Sequence, residues 1–231
     1  MIHWQVPPMW KGQTVVILAS GPSMSQAVAD RVRLSGFATI AINTTARLAP
    51  WASMLYAADS FWIVKHEKEM ANFDGLKVTC SAENHHGWLA LRNTGKAGFD
   101  NDTGSVRTGG NSGYQALHLA VHAHAGRVLL CGFDMRSVGH EVHWHGRHPE
   151  PLRNAGDGIF TRWIKHFEDI AEIAHVRGVQ ILNCTPGSAL HAFPFMNLED
   201  ALETPSRSDP DEGRIALSSR SVSPRTEPVG V

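Results

Sequence analysis

The run TVVILAS, Thr14 to Ser20, is β-branched and apolar without alternation, and it leads straight into Gly21, Pro22 and Ser23. A strand with no polar side has no face to give to water. It belongs inside a sheet covered on both faces, as parallel strands joined by helical crossovers are. The next segment agrees: in SMSQAVADRVRL, Ser23 or Ser25 can cap a helix whose apolar residues recur at helical spacing. This first strand, turn and helix set the pattern for the rest of the chain.

The pattern recurs. FATIAIN, Phe37 to Asn43, is a second buried strand, and MLYAAD, Met54 to Asp59, is a third ending in an acid, with a helix through FWIVKHEKEM after it. LKVTC is another strand, whereas the Gly-, Asn- and Asp-rich stretch from Asn84 to Asp102 reads as loops and short edge strands. Order resumes at TGGNSGYQALHLAVHAHAG, an amphipathic helix ending at Gly126 in C′ style. The strand RVLLCGFD, Arg127 to Asp134, a polar His-rich loop, a long helix from Ile159 to Arg177 closed by Gly178, and the strand VQILNCT follow. Strands alternating with helices predict an α/β, Rossmann-like open sheet, mostly parallel, with helices on both faces and right-handed crossovers. Residues 1–202 form one nucleotide-binding domain in this reading. From 203 to 231, Pro, Ser and mixed charges with few large apolar residues predict a disordered tail.

With 42% hydrophobic residues in 231, the chain can bury a substantial core. Its formal net charge of -1 gives no footprint for duplex nucleic acid, and no window offers the roughly 20 apolar residues of a membrane span. The start lacks a secretory signal, and Cys80, Cys131 and Cys184 have no CxxC spacing and read as reduced buried thiols. A cytoplasmic protein working on small molecules is the expectation.

In such a sheet ligands bind beyond the carboxyl ends of the strands, where the winding reverses. Gly21, Pro22 and Ser23, preceding a helix N-terminus, could offer backbone N–H groups and the helix dipole to a phosphate, or could be a structural turn. The turn is neither GxGxxG nor a Walker A loop. Asn43 and Asp59 end the next two strands, as ligand contacts or as caps. Gly110, Asn111, Ser112 and Gly113 open a second helix, and with Gly109 the three glycines permit close backbone approach; the plainer reading is a flexible N-cap with Asn111 or Ser112 as the cap. Asp134 ends a later strand, and His140, His143, His145 and His148 follow within nine positions. The cluster has three readings: a general base, a transition-metal site, or a solvated loop with Trp144 stacking in it. His118 and His122 are expected on an exposed helix face, and Phe160, Trp163 and Phe167 in the core rather than in a stacking platform.

The ordered blocks ILASGPS, AIN, NSGYQALHLA, VLLCGFDM and ILNCTPGSALHAF resemble the bacterial sialyltransferases that use CMP-sialic acid, and the related 6-hydroxymethylpterin pyrophosphokinase-like proteins. They are also similar to a set of bacteriophage-encoded proteins, which would put the chain in a host cytoplasm. The sialyltransferase resemblance implies nucleotide contacts from Gly21, Pro22, Ser23, Asn43, Ser112 and Gly113, with Ser20 standing where that family has asparagine. It implies a histidine base among His143, His145 and His148. The tyrosines that hold the leaving phosphate in that family have no counterpart after Asp134. The pyrophosphokinase resemblance implies instead that Asp59 lies near a magnesium-bound phosphate chain. Three functions follow: a sugar-nucleotide transferase, a metal-dependent pyrophosphokinase-like enzyme, and a phage accessory protein that binds nucleotide without turnover. No cofactor is demanded, a divalent metal stays open, and the oligomeric state is not addressed by these residues.

Overall fold

The computed structural model describes residues 3–147 and 154–204. Its strands are β1 (Thr14–Leu18), β2 (Ala38–Ile42), β3 (Met54–Tyr56), β4 (Leu76–Thr79), β5 (Leu89–Ala90), β6 (Arg92–Asn93), β7 (Ser105–Val106), β8 (Arg127–Cys131) and β9 (Gln180–Asn183). The helices are α1 (Gln26–Ser35), α2 (Ser60–His66), α3 (Ser112–His122), α4 (Asp157–Val176) and α5 (Leu198–Glu203). Seven strands form one parallel sheet in the order β5-β4-β3-β2-β1-β8-β9, and β6 and β7 make a small separate pair. This is the expected α/β, Rossmann-like architecture.

β1 lies inside the sheet between β2 and β8, and all five of its residues are buried. Because side chains alternate across a strand, Val15 and Ile17 enter one core with Tyr114, Leu117 and Phe167 of α3 and α4. Val16 and Leu18 enter the other with Val32 of α1, Trp62 of α2 and Leu198 of α5. Burying such a side chain contributes about 1.5–3 kcal/mol, so a strand apolar on both sides gains on both. The three cysteines are free and buried. Among the described residues no helix is long and apolar enough to cross a membrane.

Ser25 caps α1 through its hydroxyl, and Gly36 closes it with φ +71°. Two expectations need correcting. α3 stops at His122, not Gly126: His124 takes the left-handed conformation at φ +62°, its N–H bonding Val121 O and that of Ala125 bonding Ala120 O. This is a Schellman closure with histidine in the position glycine usually holds. Secondly, His118 and His122 are not on an exposed face but are 0% and 2% exposed, since α3 is covered by both the sheet and the Phe99 loop. Gly178 closes α4 as expected, at φ +73°. α5 continues through Glu203, and Thr204 O accepts a bond from buried Arg127; the predicted tail beyond it lies outside the described residues.

Candidate functional site

β1 and β8 are neighbours, but the chain leaves β1 toward β2 and leaves β8 toward β9 on the other side. A crevice therefore opens beyond their carboxyl ends, where ligands of such sheets bind. It is a cleft of about 740 Å³, and Ser20, Gly21, Asn43, Asp59, Asp134 and His143 all reach its wall, as does the whole turn from Gly110 to Gly113. Pro22, Ser23 and His145 do not line it, and His148 lies outside the described residues.

The first turn is not an open anion cradle. Gly21 N–H donates to Gly132 O (2.9 Å), while Ser23 offers its N–H (3.2 Å) and hydroxyl (2.8 Å) to the Asp134 carboxylate. The protein's own carboxylate thus takes the place expected for a phosphate, and α1 is capped by Ser25 away from the cleft. Gly21 is glycine because a side chain there would run into Asp134 and the Gly132 carbonyl. Asp134 is 2% exposed, and burial pushes its carboxyl above the usual range against the opposing pull of the Ser23 bonds. It acts as a clamp between the two turns of the switch point.

The neighbouring strand ends are more open. Asn43 opens a short 3-10 turn over Asn43–Arg47 at φ +49°, and its Oδ1 is buried with no hydrogen-bond partner among the described residues. An unpaired buried amide oxygen costs about 1–3 kcal/mol, a penalty that a donor on a ligand would remove. Asp59 caps α2, Oδ1 accepting from Trp62 N–H at 3.0 Å. Asn111 caps α3, accepting from Gly113 (2.7 Å) and Tyr114 (3.1 Å). Ser112, next to that cap on the cleft wall, makes no hydrogen bond to a described residue through its N–H or hydroxyl. Its N–H and hydroxyl stand at the positive end of α3. Gly113 is excluded from larger residues by Phe133, whose ring would lie 2.7 Å from an added Cβ.

The His-rich loop is docked through Trp144, while His140 and Glu141 stay exposed. Trp144 N–H donates to Ser20 O, and its indole N–H to the Thr45 hydroxyl, both at 3.1 Å. Thr45 also bonds the Ser20 hydroxyl at 2.9 Å and Ala19 O at 3.1 Å. Trp144 thus fixes the loop over the ends of β1 and β2 and sets His143 on the cleft wall. The His143 and His145 rings stack with centroids 5.2 Å apart and planes 10° apart, so the pair does share a face. Among the described residues no three His, Cys, Asp or Glu side chains are grouped as a metal set.

The lining residues not read as site residues from the sequence include Lys96, Arg136, Arg162, Trp163 and His166. Lys96 lay in a stretch read only as loop, yet Gly109 N–H bonds its carbonyl at 2.9 Å and brings it beside the second glycine turn. Arg162, Trp163 and His166 share one face of α4, and Phe160, one turn before Trp163, borders it on the core side. Phe160 and Phe167 are core as expected; Trp163 packs on the core edge and also lines the cleft. The only available signal was the i, i+3, i+4 recurrence of those residues, which core packing mimics.

No family model matches the chain, and no curated protein matches it. Among solved structures it is similar to the sialyltransferase CstII from Campylobacter jejuni in complex with a substrate analogue, cytidine-5′-monophosphate, at 12% identity and a TM-score of 0.49, over 80% of this chain and 85% of that one. It is similar also to BdcA in complex with NADPH, at 16% identity and a TM-score of 0.28, over 76% of this chain and 70% of that one. A short chain dehydrogenase from Burkholderia cenocepacia in complex with NADP is 14% identical with a TM-score of 0.28, over 81% of this chain and 86% of that one.

Proposed function

We propose that the chain is a nucleotide-binding, glycosyltransferase-like enzyme that takes a sugar nucleotide in the switch-point cleft, in a cytoplasm that is the host's if a phage encodes it. The observation that carries this reading is Asn43: a buried, unpartnered amide oxygen at a left-handed strand end, on the wall of a small-molecule-sized cleft. A ribose hydroxyl or an exocyclic base amine supplies the missing donor. Ser112 at the α3 N-terminus then receives the phosphate, with Ser20 and the Gly110 turn beside it. The acceptor hydroxyl oxygen forms a bond to the anomeric carbon as the bond from that carbon to the phosphate oxygen breaks. The electron pair leaves with the nucleoside monophosphate, and the acceptor proton goes to His143.

The pyrophosphokinase-like alternative asks for a metal at Asp59. That carboxylate already caps α2 through one oxygen, and no partner acid among the described residues completes a ligand set, so no step is routed through a metal. Calorimetry with CMP, UMP, AMP and their sugar conjugates tests the reading. Wild type is expected to bind at least one of them, and Asn43→Ala to weaken it up to about tenfold, the worth of one hydrogen bond. Equal affinity in the variant, or no binding to wild type, overturns the assignment. With a labelled donor, His143→Ala should lower turnover by about 10²- to 10⁴-fold. Release of nucleoside monophosphate supports the transferase, a transferred diphosphate the alternative, and binding without product the accessory protein.

A further inference from the structure

The α4 side of the cleft is chemically unlike the switch-point side. Ser20 and Asn43 are neutral and polar, whereas α4 offers Arg162, Trp163 and His166 from one helix face, with Arg136 from beyond β8 and Lys96 beside the glycine turn adding charge to the same cleft. None of the three cations has a carboxylate in ion-pair range among the described residues. Two acids do share the wall, but Asp134 is held by Ser23 and Asp59 caps α2. Each arginine is anchored through Nε alone, Arg136 on Gly187 O (2.6 Å) and Arg162 on Gly158 O (3.3 Å), which leaves its terminal nitrogens outside those bonds. Arg136 feels the Asp134 carboxylate, but three cations against two carboxylates leave an excess of positive charge to act on whatever enters the cleft.

Trp163 adds a second, independent feature. Its indole lies against Gly110, where an added Cβ would be 3.3 Å from Nε1, and Gly110 adopts φ +68°. Phe160 packs edge-on to the half-buried ring, with centroids 5.7 Å apart, while its border toward Gly110 is bare backbone, which leaves room there for a ring compound to stack.

Building on the nucleotide reading, we infer that this wall is the subsite of the second substrate, and that this substrate is an acidic sugar, a carboxylated or phosphorylated saccharide, stacked on Trp163 with its charge among Lys96, Arg136 and Arg162. Carboxylate and phosphate share the chemistry that arginine forks recognise, and the test separates them. The cleft, in the upper part of the roughly 300–1,000 Å³ span of small-molecule sites, has room for both partners.

The full chain is titrated calorimetrically with glucuronate, glucose 6-phosphate and glucose, alone and saturated with CMP. At least one acidic sugar should bind ten times or more as tightly as glucose, and which one does so names the acid. Replacing both Lys96→Gln and Arg162→Gln should remove most of that preference, as should raised salt, while Trp163→Leu should weaken charged and neutral sugars alike. A preference that survives the double substitution, or no preference in wild type, overturns the inference. The two readings fail separately: acidic sugars bound with no binding of CMP, UMP, AMP or their sugar conjugates would sink the nucleotide reading alone, and a nucleotide bound with no discrimination among sugars would sink this one alone.

Discussion

Gly21 and Gly110 line the same cleft and are glycines for different reasons. At Gly21 the space for a side chain is filled by Asp134 and a carbonyl, neither of which can swing away without breaking the clamp to Ser23. Gly21→Ala is therefore expected to lose about 1–3 kcal/mol or more in a urea melt, in the manner of overpacked cores. At Gly110 the main limit is the backbone at φ +68°, with Trp163 Nε1 also tight at 3.3 Å from an added Cβ, so Gly110→Ala should lose about 1–2 kcal/mol. Equal losses at the two positions would show that Asp134 yields. Strand ends made Gly21, Asn43 and Asp134 legible as residues of the candidate cleft, which all three line. The bond between Ser23 and Asp134 was not legible, because 111 residues separate the partners and no local pattern encodes the pairing.

At the scale of elements, the buried strands were the clearest part of the sequence: β1, β2, β8 and β9 have no polar face, and each lies within the predicted run. Helix ends were less legible. α3 was expected to run to Gly126, but that residue already turns the chain into β8, its N–H bonding Gln13 O, and the left-handed closure falls on His124. A β-carbon at that φ is strained and glycine is not. His124→Gly, at a solvent-exposed position, should therefore stabilise the protein by about 0.5–1 kcal/mol, read as a raised denaturation midpoint at constant m-value. A lowered midpoint would mean that the imidazole contributes more than its strain costs. The burial of α3 was missed because alternating apolar and histidine positions look amphipathic, and only the loop carrying Phe99 reveals that the second face is also covered.

That covering gives the whole molecule an acid limit. His118 stacks on Phe99 at 3.9 Å, its Nδ1 accepting from Arg107 N–H (3.3 Å) and its Nε2 donating to Asp100 O (3.2 Å). The neutral ring is satisfied, whereas a second proton would sit on Nδ1 opposite an N–H donor. Burial first, and then neighbouring His122, pull its pKa down from 6.5 to about 3; His122 is lowered as well, again chiefly by burial. As pH falls below 6.5 the unfolded chain takes up a proton that folded His118 refuses. The stability held at neutral pH is therefore lost progressively between about 6.5 and 3. Asp134 acts in the opposite sense, since its raised folded pKa lets the native state hold a proton sooner in the carboxylate range. The histidines act over a wider and higher window, so a net loss is expected. Between pH 7 and 4.5 His118 alone should remove on the order of 2 kcal/mol in urea melts. His118→Gln retains hydrogen-bonding capacity without titrating, so it should be less stable than wild type at pH 7 yet lose less on acidification, by about the same amount. If the two proteins instead lose stability in parallel down to pH 4.5, the acid limit arises elsewhere in the molecule.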